Sequence, residues 1–195
     1  QFFALPKDQE SVTLSVPLPD PTIHGIRLTC KDLAVAHPGT PSIFSNFDLE
    51  VMPGEKVGIY ASTTVAKTAL ARVLAGLEAP THGVIRYNGV DLRHLDRIAV
   101  NRCRGFMLDS QLTLFEGTIE ENIVLGRPYV PYSDVRWALR FTELEEEIDA
   151  LPQGIKSHVR TPGKVLGPPH IMRILLARAI LAMPQILIFD GFIHN

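Results

Sequence analysis

Long apolar runs, clustered cysteines and an excess of charge of either sign are all missing from this sequence of 195 residues. A membrane-spanning helix needs about 18 or more consecutive apolar residues. The most apolar stretch, Ile171 to Phe189, is broken by Arg173, Arg178 and Pro184. The chain is therefore expected not to cross a bilayer itself, and no signal peptide opens it. Cys30 and Cys103 are too few and too far apart for a disulfide framework or a zinc site, which points to a reducing compartment. The seven histidines show no ligand spacing, and a net charge of -2 gives no hint of a nucleic-acid surface.

What is present is ordinary for one globular domain: 46% apolar and 21% charged residues. Residues 1 to 22 carry Pro6, Pro17, Pro19 and Pro21 with little periodicity and read as an extended linker. Beginning at Gln1 rather than methionine, the chain reads as a piece of something longer. Ile26, Leu28 and Cys30 alternate with polar residues, as do Phe47, Leu49 and Val51. Both are half-buried strands of an antiparallel layer. Val84 to Tyr87 is a further strand, and Asn88-Gly89 turns it back into Val90-Asp91-Leu92 as a hairpin.

Phe106-Met107-Leu108 reads as a short buried strand. A helix follows with Trp137, Phe141, Leu144 and Ile148 on one face and Ser133 or Asp134 as its cap. Its Glu145-Glu146-Glu147 run reads as a solvated face. Pro168-Pro169 opens another helix over His170 to Ala182, largely buried, which Met183-Pro184 stops. Ile186 to Phe189 is a continuous apolar strand ending at Asp190, the profile of a central parallel strand covered on both faces. Strands alternating with helices make this an α/β chain.

One stretch organises the rest. Val57 to Tyr60 reads as a buried strand, a small-residue turn follows, and Leu70, Val73, Leu74 and Leu77 mark a helix. Strand, turn, Lys67-Thr68 and helix are the context of a phosphate-binding loop, whose pattern is G-x-x-x-x-G-K-S/T. The chain has Ala61-Ser62-Thr63-Thr64-Val65-Ala66-Lys67-Thr68, with alanine at both glycine positions. Glycine serves there because the loop needs unusual backbone angles and close approach to an anion. An alanine held in a left-handed conformation costs roughly 1–2 kcal/mol.

An ordered series of segments then resembles the nucleotide-binding domain of ABC transporters, most closely the exporter type. The series is Pro53 to Ile59, Gly76 to Gly83, Asn88 to Leu92, Leu114 to Ile123, Leu151 to Gly154, Arg173 to Ala179, and Pro184 with Ile186 to Asp190. The resemblance covers about residues 24 to 190. It implies a P-loop NTPase fold with a mostly parallel central sheet, an antiparallel β subdomain and a helical subdomain at about 115–163. The domain would run over 23–195, after a tether from a transmembrane domain. It also implies an ending at Asn195 ahead of the family's D-loop and switch histidine, so that the last strand is left with an unpaired edge.

The resemblance further assigns ATP and Mg2+ as cofactors. Residues 61 to 68, that is Ala61, Ser62, Thr63, Thr64, Val65, Ala66, Lys67 and Thr68, would surround the phosphates, with Thr68 and Asp190 as Mg2+ ligands. His37 falls where an aromatic stacks on adenine, and the sensing glutamine falls at Ser110, or at Gln111 if the loop slips by one. The general-base glutamate position is Gly191, which has no side chain, so no catalytic residue is assigned; His194 is a remote substitute. The signature L-S-G-G-Q is replaced by Leu166-Gly167-Pro168-Pro169-His170, which lacks the serine hydroxyl and, at the prolines, the N–H groups.

The implied function is the ATP-binding module of a membrane transporter, on the cytoplasmic side, with weak nucleotide binding and impaired or absent hydrolysis. Its partners would be a transmembrane domain and a second nucleotide-binding domain, with no nucleic acid. Two alternatives stay open: an active ATPase half completed by a partner subunit, and a scaffold that binds no nucleotide, with Lys67 pointing into solvent.

Overall fold

A computed structural model of the chain describes residues 25–107, 113–127, 129–159 and 166–191. The tether over 1–22 and the residues Leu108, Ser110, Gln111 and His194 lie outside those described.

The antiparallel layer is a four-stranded sheet in the order β2-β1-β3-β4, formed by β1 (Leu28–Ala36), β2 (Ser42–Val51), β3 (His82–Tyr87) and β4 (Val90–Asp91). Asn88 and Gly89 both have positive φ, as the tight β3–β4 turn demands. β1 is central, and Leu28, Cys30, Leu33 and Val35 point from it into the first core. Helix α1 (Thr64–Leu74) covers that core with Leu70, Val73 and Leu74; Leu77, past its end, is partly exposed. Tyr87 is fully buried, and its hydroxyl donates to the Leu74 carbonyl at 2.8 Å, tying β3 to the end of α1.

Burial pushes the Cys30 thiol up from 9.0 to about 11, with the Asp48 charge adding to the effect. The folded chain thus favours the protonated thiol. That contribution is complete below the unfolded pKa near 9 and is lost as pH rises through 11. Denaturant midpoints are expected to hold to pH 8.5 and fall between pH ~9 and ~11. Cys30→Ser should flatten this part of the profile.

The second core is helical. Isoleucines 119 and 123 on α3 (Ile119–Val124), Leu139 on α4 (Tyr132–Phe141), Ile148 on α5 (Glu145–Asp149) and Ile174 on α6 (Pro168–Ile180) pack together. α3 starts on a capping box: Thr118 and Glu121 satisfy each other's backbone N–H groups. α6 opens with Pro168 and Pro169 in its first turn, as the sequence predicts.

The helix expected from Ser133 to Ile148 is instead two. Thr142 caps α4, Glu143 takes a positive φ of 56°, and the chain restarts as α5. The break lets Leu144 and Ile148 reach the core while Phe141 is 63% exposed and Trp137 only half-buried against it. Pro131, not Ser133 or Asp134, holds the N-cap position, without a side-chain bond. The acidic residues of α5 are partly engaged: Glu145 and Asp149 pair with Arg136, and Glu147 with His170 and Arg173.

Between the cores, β5 (Arg104–Met107) and β6 (Ile186–Phe189) form a parallel pair in register from Arg104↔Ile186 to Met107↔Phe189, preceded by α2 (Arg97–Cys103). Two expectations fail here. Val57 to Tyr60 is no strand and is exposed throughout, with Tyr60 at 95%. Among the described residues no strand lies beside it, and an extended apolar run without a hydrogen-bonded neighbour does not make sheet. β6, too, is not covered on both faces: Ile186 and Ile188 face the first core, while Leu187 and Phe189 are 42% and 39% exposed. No helix among the described residues is long and apolar enough to cross a membrane.

Candidate functional site

The start of α1 meets the end of β6. Thr68, in the second turn of α1, donates its hydroxyl to Asp190 Oδ2 at 2.5 Å across 122 positions of sequence. Asp190 is buried at 5% exposure, and its backbone N–H donates to the Met107 carbonyl at 2.9 Å, so both strands of the parallel pair position it. The structure thus brings together the two residues expected to share a metal. A hydroxyl and a carboxylate are hard oxygen donors of the kind Mg2+ takes. Lys67, half-exposed, is their neighbour on α1.

The loop ahead of them departs from the expected geometry. No residue from 61 to 68 has positive φ, so Ala61 and Ala66 carry no left-handed strain. The helix starts early instead. Thr63 is the N-cap; its Oγ1 accepts from Ala66 N at 3.3 Å and its carbonyl accepts from Lys67 N at 3.3 Å. Alanine favours this outcome, being the best helix former and a poor left-handed residue. Two donors that a phosphate cradle would use are thereby engaged within the helix. Helix geometry leaves Thr64 and Val65 N–H groups without intrahelical acceptors, and Val65 is 62% exposed.

The remaining expected residues scatter. His37 lies in the exposed β1–β2 turn, where its carbonyl accepts from Thr40 N and Oγ1. Ala61 is half-buried, and Ser62, Thr63 and Thr64 are exposed. Gly191 follows Asp190 with φ of 71°, a conformation in which a glutamate would be strained. Gly167 caps α6 through its carbonyl, which accepts from His170 and Ile171 N–H groups.

Sequence reasoning did not single out Asn122. It is 1% exposed and holds the approach to α3: Oδ1 accepts from Phe115 N at 2.8 Å, and Nδ2 donates to the Phe115 and Thr118 carbonyls, both at 2.9 Å. Arg178 on α6 donates to its carbonyl at 2.6 Å and to Oδ1 at 3.2 Å. An asparagine in a helical stretch gives no signal in periodicity; only its neighbours across the fold reveal it.

A Lys-Thr pair on a helix start, its threonine bonded to a carboxylate at the end of a parallel strand, defines a P-loop type of nucleotide-binding fold. The sequence profile of the ABC transporter family matches residues 44–192. The chain belongs to that family.

Over 192 residues it is 31% identical to a fatty acid ABC transporter ATP-binding/permease protein of Mycobacterium bovis, covering 97% of this chain and 29% of that protein. It is also 31% identical over 187 residues to a leukotoxin translocation ATP-binding protein of Mannheimia haemolytica, covering 95% and 25%. The chain thus spans less than a third of the length of these curated relatives. A bacterial Atm1-family ABC exporter solved with ATP bound shares the fold, with a TM-score of 0.77 at 24% identity over 94% of this chain and 33% of that one.

Proposed function

We propose that the chain is the nucleotide-binding part of a membrane exporter that holds ATP with Mg2+ weakly and hydrolyses it poorly or not at all. The observation that carries this reading is the Thr68–Asp190 bond beside Lys67, followed at once by Gly191. Lys67 supplies the cation for the phosphates, and the uncapped N–H groups of Thr64 and Val65 face the same helix end, where the dipole favours an anion. Mg2+, when bound, would be held by Thr68 and Asp190 and would offset phosphate charge. No side chain stands at position 191 to take a proton from an attacking water. A missing general base forfeits about 10²–10⁴ in rate.

A second reading, a scaffold that binds no nucleotide, is favoured by the engagement of Ala66 and Lys67 N–H groups with Thr63. The nucleotide-binding reading extends to partners: a transmembrane domain, met through the helical region of about 115–163, and a second nucleotide-binding domain, on the cytoplasmic side of a membrane. The relatives named as ATP-binding/permease proteins support it.

Phosphate release separates impaired from active. The chain is expected to release no phosphate above background, and Gly191→Glu is expected not to restore turnover, because its φ of 71° sets the new carboxylate on a strained backbone. Steady release abolished by Asp190→Asn would overturn the reading.

A further inference from the structure

The first turn of α1 carries its own acceptor. Thr63 stands at the N-cap in extended backbone, with φ of -129° and ψ of 143°, and its hydroxyl folds over the helix end. Oγ1 accepts from Ala66 N and the carbonyl from Lys67 N, both at 3.3 Å. N–H···O bonds in proteins most often measure about 2.9–3.0 Å. Both bonds are therefore long, and the one to the side chain is a contact that a better acceptor can replace.

The surroundings favour such an exchange. No acidic side chain stands in the first turn, so no carboxylate of α1 competes for the donors there. Ser62, Thr63, Thr64 and Val65 are all exposed, which leaves the cap open to an incoming ligand. Lys67 follows Ala66 on the helix, and Thr68 beyond it is bonded to Asp190.

A neutral hydroxyl is a modest acceptor. Hydrogen bonds to an ionised phosphate oxygen are shorter and roughly twice as strong. Ala66 N–H has one proton to give, so capping by Thr63 and donation to a phosphate exclude each other at this amide.

We infer that Thr63 is a built-in competitor of the phosphate chain. In the resting chain its hydroxyl stands in for a phosphate oxygen, and nucleotide must displace it. A residue expected from its position to surround the phosphates thus sets how weakly they are held. The inference rests on the nucleotide-binding reading and names what limits affinity at that site. An N-cap side chain favours the capped over the uncapped form by about fivefold. Apparent affinity falls in proportion to the fraction of chains left open. Displacing the hydroxyl leaves the carbonyl bond to Lys67 N in place, so α1 keeps its start.

The test compares Thr63→Ala with Thr63→Ser, two variants that differ by the hydroxyl alone. ATP with Mg2+, and separately inorganic pyrophosphate, is titrated calorimetrically into the 195-residue chain and each variant. The alanine variant is expected to bind both probes about fivefold more tightly than the original, and the serine variant within about twofold of it. Ser62 stands one position upstream, so the comparison is repeated with Ser62→Ala added, to keep its hydroxyl from taking over the cap. Amide exchange at Ala66, followed by NMR, should quicken in the alanine variant and slow again when pyrophosphate is added.

A cap with a purely structural role would lower the melting temperature of the alanine variant and leave its affinity for ATP unchanged. Equal ATP affinity of the alanine and serine variants therefore overturns the proposal while nucleotide binding stands. Tighter binding of pyrophosphate without tighter binding of ATP overturns it as well. ATP binding seen in the alanine variant alone supports it in its strongest form. No response to ATP from the original or either variant removes nucleotide binding itself, and this inference with it.

Discussion

Lys67→Ala is expected to remove the response of the chain to ATP with Mg2+ while leaving its unfolding midpoint unchanged. Lys67 is the only cation in the segment 61 to 68. A hydrogen bond to a charged group contributes about 1.5–3 kcal/mol, so its loss corresponds to roughly 10- to 150-fold in affinity. From an already weak site that moves binding out of reach of titration.

Stability should not follow. The substitution places the best helix former in the first turn of α1 and removes a positive charge from the end where the helix dipole disfavours it. Isothermal titration with ATP and Mg2+, beside a thermal melt, checks both halves. Identical weak responses from the original and the variant would remove nucleotide binding and leave the scaffold reading standing.

The largest structural effect is expected from Asn122→Ala, at about 3 kcal/mol of lost stability. The side chain is fully buried and serves Phe115 N–H, the Phe115 and Thr118 carbonyls and Arg178 at once. Alanine would leave these groups buried without partners, and an unsatisfied buried group costs about 1–3 kcal/mol. For a chain of this length the melting temperature should fall by about 6–12 °C.

Asn122→Asp keeps the acceptor for Phe115 N–H and gains charge toward Arg178, yet loses both Nδ2 donors. An intermediate midpoint is expected. A melt for Asn122→Ala within 2 °C of the original would show that water replaces the amide.

Local pattern reached far into the fold. Alternation at Leu28 and Cys30, the Asn88-Gly89 turn and the Pro168-Pro169 helix start were legible because each depends on neighbours close in sequence. Lys67-Thr68 stood out through the pattern at a helix start and Asp190 through the family resemblance, and the structure bonds Thr68 to Asp190.

Elsewhere the apolar pattern was not enough. Val57 to Tyr60 has the composition of a buried strand but no strand beside it among the described residues. Phe141 falls on the helical period yet points to solvent, since the turn at Glu143 redirects the chain. At Ala61 and Ala66 the sequence announced a changed loop, but not that Thr63 would cap an early helix and remove the strain.

The sequence by itself determined the family, the antiparallel strands with their Asn88-Gly89 hairpin, and the absence of a side chain at position 191. Tertiary structure alone decided which donors of the loop stay free, that Thr68 and Asp190 are bonded, and that Asn122 bonds to Arg178. The reason is one of range. Propensity and periodicity act over a few residues, whereas pairing, cover and burial depend on segments brought together from far along the chain.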